Sequence, residues 1–162
     1  MGGKNGDRIK TNRWLFALYI GFFAGLIWGA LKIVEHYLKF TKVVVGFLVE
    51  PFFKHDFLLS WQGTLVGWGF FILFSIVAAY LYTIAFWKLR GPWWGIGYGA
   101  VWWCFVYLFV GPLAGMTYWI TDLDINSSIS DFCLFLIWGM FIGYSINVEY
   151  TDERTREPIH KS

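Results

Sequence analysis

Hydrophobic residues in this chain come in long unbroken blocks parted by short polar stretches, not in the alternating or three-to-four spacing of a water-soluble fold. From Trp14 to Leu31 the run WLFALYIGFFAGLIWGAL carries no charge. Continued to Val34, at about 1.5 Å per residue, it covers a hydrocarbon core of about 30 Å. Gly63 to Trp87 gives 25 residues without a charged side chain, and Trp93 to Gly111 is uncharged up to Gly111-Pro112. Phe132 to Val148 closes the series with 17 residues. None of these blocks shows the period-two pattern of a membrane barrel strand, and each is far longer than such a strand needs. In lipid, backbone polar groups must be satisfied within the segment, which leaves helices. The pattern predicts an all-α polytopic membrane protein, a four-transmembrane-helix bundle with spans at about 14–34, 63–87, 93–111 and 132–148. The membrane domain covers 14–150, between tails at 1–13 and 151–162.

The stretch Glu35 to Gln62 is too long for a turn and too apolar for a free loop. Phe40, Val43, Val44, Phe47 and Leu48 recur at helical spacing, with Lys39, Lys42, Gly46 and Glu50 on the other side. This predicts an amphipathic interfacial helix between spans one and two, stopped at Pro51, with an apolar face that lies in the headgroup boundary or covers the bundle.

Composition agrees with the pattern: the chain is 57% hydrophobic and only 15% charged, more apolar surface than a soluble core of this size buries. The position of the charge says more than its net value of +2. Lys4, Arg8, Lys10, Arg13, Lys88, Arg90, Arg154, Arg156 and Lys161 fall on one side of the predicted membrane, and Lys32, Lys39, Lys42 and Lys54 on the other. Nine against four in short loops puts both termini in the cytoplasm and makes this a multi-pass protein of the cell membrane. Trp14, Trp61, Trp87, Trp93, Trp119 and Tyr150 suit interfacial anchors. A cleavable signal peptide is disfavoured by the length of the first run and by bulky Trp28 and Leu31. Cys104 and Cys133 lie in apolar runs and read as packing residues, and no basic patch suggests nucleic acid.

Glycines fall four apart: Gly21, Gly25 and Gly29 in span one, Gly63 and Gly67 in span two, Gly91, Gly95 and Gly99 leading into span three, Gly139 and Gly143 in span four. Residues four apart share a helix face, so each span presents a groove for close approach of a neighbour. Packing within one chain is the expected use, ahead of dimerisation.

Candidate chemistry is sparse. Lys32, Glu35 and His36 stand one turn apart at the end of span one, as an ion or proton site would need, but at a helix end Lys32 is expected to pair with Glu35 or Lys39 with Glu35. Adding Glu50, His55 and Asp56 supplies metal-ligand types without a metal spacing, and Asp122, Asp124 and Asp131 lack the spacing of a calcium loop. Gly97-Tyr98-Gly99 has the letters of a potassium filter without its preceding threonine or re-entrant loop. Ser75 and Ser145 are expected to bond their own helices. Spans two to four contain no interior charge, which weakens a coupled-transporter reading. No catalytic, cofactor-binding or metal-binding residue, and no cofactor, is assigned.

Phe40-Thr41, Glu50-Pro51-Phe52, Gly63-Thr64, Gly97-Tyr98-Gly99-Ala100 and Gly139-Met140-Phe141-Ile142-Gly143-Tyr144-Ser145-Ile146 with Glu149 follow one another in an order that resembles the YqhR family of conserved membrane proteins of Gram-positive bacilli. The likeness runs from about Phe16 to Tyr150. It implies the same four-span architecture and brings no catalytic residue or ligand with it. The expectation is a non-enzymatic integral membrane protein acting through protein or lipid contacts, its partners the bilayer and a membrane protein or second copy. The alternative is a small transporter or channel component.

Overall fold

The computed structural model describes residues 12–86, 92–115 and 125–156. The basic tail before Asn12, the Lys88/Arg90 loop, Asp122 and Asp124, the anchors Trp87 and Trp119, and the last six residues lie outside them, as does the side chain of Tyr150.

Each apolar block forms a helix. α1 runs Arg13–Tyr37, capped by Asn12, whose side chain accepts from the Trp14 N–H at 3.3 Å. It ends where Lys39 turns left-handed at φ 62° and the N–H groups of Leu38, Lys39 and Phe40 return to the last carbonyls. A short α2, His55–Leu58, leads to α3, Trp61–Phe86. Ser60 joins them: its hydroxyl accepts from Gly63 N–H at 3.1 Å and donates to the Phe57 carbonyl at 2.5 Å. α4, Pro92–Cys104, continues through a π-helical turn, Phe105–Val110, into α5, Gly111–Ala114. The Gly111 N–H reaches back five residues to Val106, a widening that sits one residue before Pro112, which has no N–H to give. Gly115, at φ 68°, stops this path. α6, Ile125–Arg156, is the longest at 32 residues. Four helical stretches, Arg13–Tyr37, Trp61–Phe86, Trp93–Leu113 and Ile125–Glu149, are long and apolar enough to cross a bilayer. Leu18, Phe22, Leu73, Val77, Leu81, Val101 and Ile137 point outward from them, as lipid-facing positions must.

The helices associate as two tight pairs. In the first, Gly21 and Gly25 of α1 press on the α3 backbone at Ile76 and Ile72. In the second, Gly95 and Gly99 of α4 interlock with Gly139 and Gly143 of α6, and a methyl group at Gly99 would overlap the Phe135 backbone. Gly21, Gly25, Gly29, Gly67, Gly95, Gly99, Gly139 and Gly143, expected to serve packing within the chain, do so; Gly63 presses on the turn at Phe57 and Leu58, and Gly91 lies outside the described residues. Gly97, on the outward side of α4, touches nothing. Aromatic rings fill the seam between the pairs: Trp28 meets Phe141 at 4.9 Å, Phe74 meets Trp102 at 4.9 Å and Trp138 at 5.6 Å, and Tyr82 meets Tyr98 at 5.0 Å. Hydrogen bonds cross it from Trp138 Nε1 to Ser75 Oγ (3.0 Å), Tyr98 OH to the Ala78 carbonyl (2.7 Å) and Asn147 Nδ2 to Tyr82 OH (3.1 Å).

Three expectations change. The helix drawn through Phe40 to Glu50 is a single 3₁₀ turn, Val45–Val49, because residues 40–43 run through bends against α6 and are held there by side-chain bonds described below. Its apolar residues Val45, Phe47 and Val49 are buried, and Gly46 seats directly on Gly67 of α3, so the segment covers the bundle. Span four starts earlier than Phe132, since α6 takes in the Ser-rich stretch and Asp131. Cys104 is half-buried, but Cys133 is exposed on the outward face of α6.

Candidate functional site: a buried lysine–aspartate cluster

Asp131 is the centre of the polar chemistry. Two turns into α6, it shares a helical face with Ser127, Leu134, Phe135 and Trp138, all buried, and that face turns toward α1 and the π-helical turn. Its side chain is fully buried. Lys32, five residues before the end of α1 and equally buried, places Nζ 2.5 Å from Asp131 Oδ1. At 1.5 Å per residue both lie about 8 Å inside their helix ends.

The other carboxylate oxygen accepts two hydroxyls. Tyr107, in the π-helical turn, donates to Oδ2 at 2.6 Å, and Thr41, in the connection between α1 and α3, donates to it at 3.1 Å. Thr41 Oγ1 in turn accepts from the Val43 N–H at 3.1 Å, and Ser127 Oγ accepts from the Lys42 N–H at 3.2 Å. These bonds pin residues 41–43 against α6. The Lys32 ammonium also lies 5.5 Å above the Phe47 ring, which the same segment delivers. One carboxylate thus gathers α1, the connection, the π-helical turn and α6. A buried charge needs such a shell, since losing one partner of a buried pair costs about 3–5 kcal/mol.

Lys32 was expected to pair with Glu35 and pairs with Asp131 instead. Glu35 accepts from Ser130 Oγ at 3.1 Å through Oε1, whereas its Oε2 is buried with no hydrogen-bond partner among the described residues. His36 donates through Nδ1 to the Thr41 carbonyl at 3.2 Å and helps fix the connection. It also lines a cavity of about 190 Å³ with Ile33, Tyr37, Val44, Val45 and Leu58. Glu50 is half-buried and Asp56 exposed, and the side chain of His55 lies outside the described residues. Among the described residues no three His, Cys, Asp or Glu side chains converge as metal ligands. Tyr98 and Gly99 are buried between helices as packing surface, while Gly97 of the same stretch faces outward. Ser75 serves as acceptor for Trp138 across the bundle, not for its own helix.

Sequence reasoning placed Lys32 among the candidates, weighed Asp131 only as a weak calcium ligand of an outer loop, and gave Tyr107 and Thr41 no role. The missing signal was phase. Asp131 falls in register with the apolar residues 134, 135 and 138 on one helical face, and Lys32 interrupts an otherwise continuous apolar run.

Known proteins give the following likenesses. The sequence model described as "Conserved membrane protein YqhR" matches residues 7–161. A relative named "Uncharacterized protein YqhR", from Bacillus subtilis (strain 168), is 29% identical over 132 residues, covering 82% of this chain and 74% of its own. No solved structure matches.

Proposed function

We propose, from the premise that the chain belongs to the YqhR family of conserved membrane proteins, that it is a non-catalytic multi-pass protein of the cell membrane. In this reading it acts through contacts of its bundle surface and its α1–α3 connection with a membrane-protein neighbour, a second copy or lipid. The observation that carries the reading is the closure of the polar cluster on itself. Asp131 receives Lys32, Thr41 and Tyr107, and Lys32 is spent on Asp131 and the Phe47 ring. A group that serves a substrate is left open to it, whereas these are consumed in holding helices together. Both termini lie on the cytoplasmic side in this reading, supported by nine Lys and Arg flanking that side against four on the other.

Photo-crosslinking in native membranes from exposed Phe52 and Trp61 tests it. The expected result is one reproducible neighbour, whether protein, second copy or lipid.

A second reading, a small transporter or channel component, is favoured by one observation: a fully buried ion pair between two helices long and apolar enough to cross a bilayer, where ionisable groups commonly mark ion paths. Gln or Ala at Glu35, His36 and Glu50 separates the two. If each variant is made normally yet fails to rescue a deletion strain, and crosslinking recovers no reproducible neighbour, the carrier reading replaces the contact reading.

A further inference from the structure

His36 and Thr64 meet at one cavity and present the same chemistry to it. Gly21, Gly25 and Gly29 of α1 press on Ile76, Ile72 and Trp68 of α3, one series rising as the other falls. The two helices therefore run antiparallel, and Thr64 stands level with Ile33, one turn below His36. All three line the cavity of about 190 Å³. Thr64 donates its hydroxyl hydrogen to the Ser60 carbonyl at 3.0 Å, which leaves Oγ1 as an acceptor. His36 bonds the Thr41 carbonyl through Nδ1 at 3.2 Å. A carbonyl only accepts, so the proton is on Nδ1, and Nε2 of the neutral ring is an acceptor too. No Lys, Arg, Asp or Glu is among the lining residues. A cavity that has spent its donors and kept its acceptors suits a ligand that brings uncharged donors, which means hydroxyl groups.

The surroundings fix the other half of the ligand. Tyr37 and Leu59, both exposed, line the cavity where α1 ends and α3 begins. In a chain that spans with these helices, that is the boundary between hydrocarbon and headgroups. The volume is below the roughly 300–1,000 Å³ of a drug-sized pocket, so it takes a headgroup and leaves the acyl chains in the bilayer. Between Leu38 and Ser60 the exposed charged side chains described are Lys39, Lys42 and Lys54 against Asp56, an excess that suits a phosphate outside the cavity.

We propose that this cavity binds an anionic phospholipid whose headgroup ends in a glycerol diol. One hydroxyl donates to His36 Nε2 and the other to Thr64 Oγ1, while the phosphate lies outside among the lysines. The inference rests on the reading that the chain acts through contacts at its α1–α3 connection, and it names the lipid that one of those contacts takes.

The test is native mass spectrometry of the full chain titrated with phosphatidylglycerol or with phosphatidylpropanol, which carries the same charge and chains but no headgroup hydroxyl. Phosphatidylglycerol is expected to bind about tenfold more tightly. Thr64→Val keeps the shape, loses the acceptor and lowers the ratio to about threefold, whereas Thr64→Ser keeps it at the parent value. Equal affinities in the unsubstituted chain overturn the proposal, because the cavity then holds water or any acyl chain. A ratio unchanged by Thr64→Val overturns it too, since the preference then arises elsewhere. Independently of any substitution, phosphatidylglycerol with a diazirine near the start of one acyl chain labels Tyr37 or Leu59, and labelling confined to other residues overturns the site. The contact reading fails separately, when Phe52 and Trp61 crosslink to no reproducible neighbour.

Discussion

Within each helix pair the contact is backbone on backbone across glycines, and between the pairs it is ring on ring, closed at one end by a buried ion pair. Gly21 and Gly25 against Ile76 and Ile72, or Gly99 against Phe135, leave no room for a methyl group. Such a seam has one fit and no slack. Phe74, Trp102 and Trp138, by contrast, meet at centroid distances of 4.9 and 5.6 Å in both edge-on and stacked geometry, which tolerates small shifts. With no hydrophobic drive between helices in lipid, close van der Waals contact and buried polar bonds must do the joining. The chain uses the first inside the pairs and adds the second between them.

The largest expected effect is at the closed end of the seam between the pairs. Lys32→Met leaves Asp131 buried without its cation and should destabilise the bundle by about 3–5 kcal/mol, read from reversible unfolding in mixed denaturing and mild detergent micelles. Replacing both partners, Lys32→Met with Asp131→Leu, should recover part of that loss. A double variant as unstable as the worse single one would show that the pair is not the unit that matters.

Next comes the seam inside a pair. Gly99→Ala should cost about 1–3 kcal/mol because the added methyl overlaps the Phe135 backbone. Gly97→Ala, two residues away with open space beside it, should stay within about 0.5 kcal/mol of the parent. Equal effects at the two positions would erase the distinction between an interlocked and a free face.

The smallest effect belongs to the neutral part of the seam between the pairs. Ser75→Ala removes the acceptor for Trp138 Nε1 and should cost about 1 kcal/mol. A loss as large as that of Lys32→Met would mean that the neutral bond, not the ion pair, dominates there.

Much of this arrangement was readable in advance. Uncharged blocks announce helices because backbone groups have no other partner in lipid, and glycines four apart announce faces of close approach. The identity of each neighbour was not readable: spacing in α1 and α6 is alike, yet Gly25 meets α3 and Gly139 meets α4. The site failed for a related reason. A span drawn from Phe132 stops at the first charge, so it places Asp131 in a loop when a cation on another helix has already made its burial affordable. The stretch from Phe40 to Val44 misled differently, since its helical spacing is real but Thr41 and Lys42 give their bonds to α6 and hold the backbone in a bend.

One feature of α6 reaches beyond the cluster. At 1.5 Å per residue its 32 residues measure about 48 Å, against a hydrocarbon thickness of about 30 Å. Asp131 and Ser127 tie it to α1 and the α1–α3 connection near one end, and Gly139 and Gly143 seat it on α4 at its middle. A rod this much longer than the hydrocarbon is thick overhangs it at any ordinary tilt, so part of α6 stands in the headgroup layer or the water beyond.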